Sequence, residues 1–312
     1  MILVVSLNPA LDVTHHVAGV DWSGVNRPQQ VSTAPGGKGL NVARTLRALG
    51  ADVRVVGLAG GVTGEAVAAG LAAAGVPGAF APIAGQTRRT FAVVDTSRHD
   101  TALFNEPGPV VTVGEYHEFL VLYENSLAGC DAVVLSGSLP PGLPEDSYAG
   151  LAARAAAAAV PVILDAGGGA LRRGLAAGPA IVKPNFPELQ AAVRRPLDGR
   201  AAVAAAAAEL RAEGAHAVVV SLGHEGLLAV TGEGTWHAAP PAHVAGNPTG
   251  AGDAVVAGLA HGLVLGRPWA QRLRHAVALG TACVAAPAAG QFADADYQRA
   301  LAGTQVTEWA GR

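Results

Sequence analysis

In the stretch Asn247-Pro248-Thr249-Gly250-Ala251-Gly252-Asp253, followed by the apolar run Ala254-Val255-Val256-Ala257-Gly258-Leu259, a carboxylate ends a glycine-rich turn that opens a helix. Glycines let backbone amides approach a ligand closely, and a helix start adds partial positive charge. Gly250, Ala251 and Gly252 therefore form a candidate anion hole. Asp253, one step further on, could take the proton of a hydroxyl that attacks a phosphate held there. An ordinary glycine-rich helix start with Asp253 as its cap fits the same residues.

Other strings add polar groups. Gly36-Gly37-Lys38-Gly39-Leu40-Asn41 also opens a helix, and its glycines admit a ligand's hydroxyls beside Lys38 and Asn41. A tight turn with a solvated lysine is the plainer reading of that string. In Lys183-Pro184-Asn185-Phe186-Pro187-Glu188, Lys183 could meet a phosphate, and Asn185 and Glu188 could organise a hydrated magnesium ion. A prolyl turn with Glu188 near a helix N-terminus describes it equally. Ser221-Leu222-Gly223-His224-Glu225-Gly226 ends an apolar run, where Ser221, Gly223 and Gly226 could line a nucleotide or simply form a hairpin turn. Arg27, Arg88 and Arg89 carry the planar fork that suits phosphate. Asp12 and Ser138 follow apolar runs and could meet ligand hydroxyls. There is no G-x-x-x-x-G-K-[ST], G-x-G-x-x-G or G-x-S-x-G string, which argues against P-loop, dinucleotide-binding and α/β-hydrolase chemistry.

The elements that must position these groups alternate. Short apolar runs at 2–7, 53–58, 132–135, 160–164, 180–182 and 217–221 suit strands buried on both faces. Helix-like stretches lie between them at 40–49, 65–74, 145–159, 188–193 and 201–213. This rhythm predicts an α/β three-layer sandwich with a mostly parallel central sheet and right-handed crossovers. Two regions, about 11–34 and 87–106, break the rhythm with polar and apolar alternation and a turn at 97–100. They read as a small β-sheet lid over the carboxyl ends of the main strands.

With 50% hydrophobic and 14% charged residues among 312, the chain can bury a large core. A net charge of -3 and a pI near 6.4 argue against general nucleic-acid or anionic-membrane binding. Cys130 and Cys283 are too few for a disulfide framework or a zinc site, which fits a reducing, cytoplasmic setting. The opening residues have no basic segment ahead of their apolar run and read as a first strand and not a signal peptide. His261, Gly266 and Pro268 interrupt the apolar C-terminal region before it reaches membrane-spanning length.

Taken in chain order, the motifs are far more specific than any one of them. Asn8-Pro9-Ala10-Leu11-Asp12, Gly36-Gly37-Lys38-Gly39-x-Asn41, Asn105-Glu106-Pro107-Gly108, Ser136-Gly137-Ser138-Leu139-Pro140, Lys183-Pro184-Asn185-x-x-Glu188 and Gly250-Ala251-Gly252-Asp253 resemble the PfkB (ribokinase-like) carbohydrate kinases. The resemblance spans essentially the whole chain, and the opening and the Asn-Glu-Pro-Gly segment are most similar to the phosphosugar branch that holds 1-phosphofructokinase and tagatose-6-phosphate kinase. It implies one ribokinase-like domain over 1–312, with a lid that often forms a dimer clasp. It also implies ATP with Mg2+ as donor and a ketohexose monophosphate as acceptor, with fructose 1-phosphate converted to fructose 1,6-bisphosphate.

By the same resemblance Asp253 matches the catalytic base and Gly250, Ala251 and Gly252 the anion hole. Asp12, Gly37, Lys38, Asn41 and Asn105 match sugar-contacting positions, and Arg27, Arg88 and Ser138 match positions that hold the substrate phosphate. Lys183, Asn185, Glu188, Ser221 and Gly223 match the nucleotide side, with Asn185 and Glu188 meeting the metal through water. The chain departs from the pattern at Arg88-Arg89-Thr90-Phe91, where an asparagine is usual within the strand, and at Pro248 and Ala254-Val255. The first departure leaves tagatose 6-phosphate, fructose 6-phosphate, an unphosphorylated sugar or a nucleoside as alternative acceptors. A sensor without catalysis is the alternative outside enzymes.

Overall fold

The first strand, β1 (Ile2–Ser6), is buried along its whole length. Ile2 and Val4 enter one apolar cluster while Leu3 and Val5 enter another, as a period of two requires of a strand covered on both faces. The computed structural model describes residues 1–98, 100–241, 244, 246–286 and 288–310.

After β1 the chain leaves the main sheet as β2 (Ala10–Val17) and β3 (Gln30–Gly36) and returns through α1 (Lys38–Ala48), β4 (Val53–Ala59), α2 (Gly61–Ala73) and β5 (Gly78–Pro82). It leaves again as β6 (Arg88–Asp95) and β7 (Asp100–Asn105). Helix and strand then alternate through α3 (Val113–Ser126), β8 (Ala132–Ser136), α4 (Ser147–Ala157), β9 (Val162–Asp165), α5 (Gly168–Leu175), β10 (Ile181–Val182), α6 (Phe186–Val193), α7 (Gly199–Ala212) and β11 (Val218–Ser221). The last part holds β12 (Leu227–Val230), β13 (Thr235–Ala239), α8 (Ala251–Val264), α9 (Trp269–Val284), α10 (Asp294–Gly303) and β14 (Gln305–Glu308).

The main sheet runs β14-β13-β12-β11-β10-β9-β8-β1-β4-β5. It is parallel from β11 to β5 and antiparallel along the β12, β13, β14 edge. Helices α3 to α7 pack Phe119, Tyr148, Leu171, Leu189 and Leu210 against one face, and α1, α2, α8 and α9 pack Leu40, Leu71, Leu259 and Leu273 against the other. This is the expected three-layer sandwich. Ser221 to Gly226 is a hairpin, because β12 folds back on β11 through one short turn at Gly223–Glu225. Among the described residues no helix is long and apolar enough to cross a membrane.

A second sheet, β3-β2-β6-β7, is built from the two segments that break the helix-strand rhythm. Its register aligns Asp12 with Thr90 and Thr90 with Asn105, so these polar residues share one face. Phe91 and Phe104, also paired, lie on the other. His99, in the expected turn at 97–100, lies outside the described residues.

Candidate active site

Parallel strands end in the same direction, so the residues at their carboxyl ends converge on one crevice. Ser6, Ser136, Asp165 and Ser221 close β1, β8, β9 and β11, and Lys183 follows β10. All of them line a cavity of about 1080 Å³ that the polar face of the small sheet roofs with Asp12, Arg88, Thr90 and Asn105. Gly37, Lys38, Asn41, Ser138, Asn185, Gly223, Gly226 and the whole of Gly250-Ala251-Gly252-Asp253 line it too.

Asp253 stands in the first turn of α8, which Gly250 caps in the left-handed conformation with φ 84. A side chain at Gly250 would also meet Ala289, so the turn needs glycine for conformation and for space. The Ala251 amide donates to the Pro248 carbonyl at 3.1 Å, which corrects its expected part in the anion hole. Gly250 and Gly252 keep amides without an acceptor among the described residues. The Asp253 carboxylate is 6% exposed and accepts a 2.9 Å hydrogen bond from Asn41 Nδ2. Burial, with Asp165 nearby, pushes its pKa up to about 7 against the opposing pull of Asn41, Lys38 and Lys183. A carboxylate so placed is half ionised near neutrality, which suits a general base.

Behind it lies a charged cluster. Asp165 is fully buried, accepts from Ser136 Oγ at 3.0 Å, and pairs with Lys183 at 3.1 Å and Lys38 at 3.6 Å. Burial raises its pKa, but Lys183 and Lys38 together hold it below the usual carboxylate range. Lys38 also meets Glu188 at 3.4 Å. Burial would lower this lysine, yet Asp165, Glu188 and Asp253 keep it above its ordinary value, so it stays charged. Asp165 was not singled out by sequence; its only signal was its place at a strand end level with Ser136.

On the roof, Arg88 Nε donates to the Asn8 carbonyl at 3.1 Å and its Nη1 to the Glu106 carbonyl at 3.2 Å. Asn8 Nδ2 donates in turn to Ser138 Oγ at 3.1 Å. The Asn8 and Asn41 side-chain carbonyls are buried without a partner among the described residues, acceptors that a ligand hydroxyl can satisfy. Burial pushes Asp12 upward while Thr90, Arg88 and Arg44 pull it back. Arg27 is not brought to this site. It lies exposed in the connection between β2 and β3, which corrects its assignment to the substrate phosphate within one chain. Arg89 is paired with Glu106 at 3.3 Å and covers the Phe91 ring.

Asn185 and Glu188 form a reciprocal capping box at the start of α6, with both bonds at 2.8 Å. The Asn185 carbonyl is thus committed to the Glu188 amide, and Glu188 Oε1 accepts from Lys38 Nζ at 3.4 Å. Among the described residues no group of three or more histidine, cysteine, aspartate or glutamate side chains could enclose a metal. A magnesium ion that keeps its waters needs no such cage; Asn185 lines the large cavity, and Glu188 lines a smaller one that shares Lys38, Gly137 and Ser138 with it.

Residues 5–295 match the pfkB family of carbohydrate kinases. A 1-phosphofructokinase of Rhodobacter capsulatus is 40% identical over 278 residues, 89% of this chain and 88% of that protein. Among solved structures, Escherichia coli phosphofructokinase-2 in complex with fructose-6-phosphate superposes with a TM-score of 0.90 at 31% identity, covering 96% of this chain and 98% of that one. An Arabidopsis thaliana ribokinase complexed with ribose and ATP is alike in fold, with a TM-score of 0.75 at 22% identity, covering 96% and 98% of the two chains.

Proposed function

The chain belongs to the pfkB family of carbohydrate kinases, and from that membership we propose that it transfers the γ-phosphoryl group of ATP to a ketohexose monophosphate, foremost fructose 1-phosphate. The observation that carries this reading is the buried Asp253, set at the glycine-rich start of α8 in a cavity that continues to Arg88 under the small sheet. The free primary hydroxyl of the sugar gives its proton to Asp253 as its oxygen forms a bond to the γ-phosphorus. The bond from that phosphorus to the bridging oxygen breaks, and ADP leaves with the electron pair. Amides of Gly250 and Gly252 stabilise charge on the transferred group, Lys38 and Lys183 neutralise phosphate, and Ser221, Gly223 and Gly226 line the nucleotide's side. Magnesium, when bound, neutralises charge on the nucleotide phosphates. Asp12, Gly37, Asn41 and Asn105 receive the sugar's hydroxyls, and Arg88 and Ser138 its phosphate.

Two properties accompany this reading. The outer face of the small sheet, with Val31 and Phe104 more than half exposed, supports a homodimer closed through the lid. Free Cys130 and Cys283 suit a reducing, cytoplasmic setting.

The acceptor is tested by kcat/KM for fructose 1-phosphate, tagatose 6-phosphate, fructose 6-phosphate, fructose and adenosine. Fructose 1-phosphate is expected to lead by at least about tenfold, a difference a charge-assisted phosphate contact can supply. Preference for fructose or adenosine overturns the phosphosugar reading. Asp253→Asn should bind both substrates and lose kcat by roughly 10²–10⁴-fold. Near-normal turnover by that variant removes Asp253 from the mechanism.

A further inference from the structure

Arg44 lies on α1 three residues after Asn41, so the two side chains leave neighbouring positions on one helix. Its Nη1 donates to the carbonyls of Pro35 and Ala289, both at 3.2 Å. Pro35 belongs to β3 and pairs with Leu11 at the root of the small sheet, beside the Ala10–Gly36 pair. Ala289 and Gly290 form the loop behind the catalytic turn: a Cβ at Gly250 would come within 2.7 Å of the Ala289 Cβ, and one at Gly290 within 3.0 Å of the Asn41 Cα. Burial lowers the pKa of the guanidinium, and the charge of Asp12 pulls it back up. A single side chain therefore bonds the root of the lid to the loop that backs Gly250 and Asn41.

We propose that Arg44 is a positioning residue that ties the lid to the catalytic turn, so that Asp12 and the Asn41–Asp253 pair act on one acceptor in a fixed mutual geometry. The proposal rests on the reading that a sugar hydroxyl is the acceptor. It assigns a role to a residue that contacts neither substrate. Its physical basis is that a displacement of about 1 Å in a reacting pair can cost roughly 10²-fold in rate. The cations that act on Asp12 are Arg88 from β6 and Arg44 from α1. Beside Asp12, Cys283 on α9 is the titratable group that faces Arg44.

The test compares Arg44→Met and Arg44→Lys in the full chain, after the wild type has been run on the acceptor panel. Arg44→Met is expected to lose about 10- to 100-fold in kcat/KM for the sugar phosphate, through both kcat and the sugar's KM, with the KM for ATP within about twofold. Arg44→Lys keeps the charge but turns over more slowly than wild type because the planar fork is lost. Wild-type kcat/KM for the sugar phosphate in Arg44→Met, or a loss falling equally on the KM for ATP, overturns the proposal. Should Arg44→Met not fold, Arg44→Lys decides: wild-type kcat in it also overturns the proposal. A wild type that favours another acceptor refutes the functional reading alone, and the same comparison is then made on that acceptor.

Discussion

Asp253 and Asp165 are two buried carboxylates with opposite fates, and the difference lies in their partners. Asp165 has two lysines and a serine hydroxyl and stays ionised. Asp253 has one neutral donor, Asn41, and its pKa is pushed up to about 7. Activity that needs the ionised base should therefore rise with pH through an acid limb near 7 in kcat/KM. Asp165→Asn removes a negative neighbour, so the limb should move to lower pH while kcat falls as Lys38 and Lys183 lose their anchor. A limb that stays in place would show that burial alone sets it. The same group has a consequence for stability. An acid whose folded pKa lies above 3.8 loses stabilisation as pH rises from its unfolded value through its folded one, here from about 4 to about 7. Asp253→Asn lacks that titration, so its Tm should exceed that of the wild type increasingly across this window in thermal scans. A constant difference between the two would refute the sign. The candidate base was legible in sequence because a glycine turn precedes it. Asp165 was not, because Leu164-Asp165-Ala166 carries no local pattern and gains meaning only when β8, β9 and β10 bring Ser136 and Lys183 beside it.

At the scale of elements, the parallel strands other than β5 were legible because strands covered on both faces read as unbroken apolar runs, whereas β5 at the sheet edge is only partly buried. Helices α1, α2, α4, α6 and α7 were legible because the same glycines and prolines that end the strands bound them. Helices α3, α5, α9 and α10 and the strands β12, β13 and β14 were not singled out, since an edge strand such as Gln305–Glu308 is mostly exposed and its polar sequence resembles a loop. The capping box of α6 shows how one string holds two readings: Asn185 and Glu188 satisfy each other's amides, and the same Glu188 still faces Lys38. Between β3 and α1, Gly36 has a positional role that the glycine cluster did not announce. A Cβ there would fall 2.0 Å from the Asp12 carboxylate carbon. Gly36→Ala should displace that carboxylate and raise the KM for sugar by about tenfold, the equivalent of one lost polar contact, with the KM for ATP nearly unchanged. Equal rises in both would place Asp12 outside the sugar's site.

For the whole molecule, the small sheet presents two unlike faces. One face carries Asp12, Arg88, Thr90 and Asn105 into the cavity. The other carries Phe91, Val93 and Phe104, paired across strands with Val13, His15 and one another, and Val31 opposite His15. Val31 is 53% exposed and Phe104 51%, which a sheet backed only on its polar side leaves open to water. Covering this face with that of a second chain buries the apolar residues and braces the lid over the site from outside, so assembly and acceptor binding become linked. Sedimentation of the wild type should give a dimer at assay concentrations, and Phe104→Asp should shift it toward monomer by placing a charge in the contact. Since the braced lid holds the sugar-side residues, dilution or Phe104→Asp should raise the KM for the sugar phosphate more than that for ATP. A wild type that sediments as a monomer with full activity would make this apolar face a surface without a partner, and the lid would then have to be held by Arg44 and the strand roots alone.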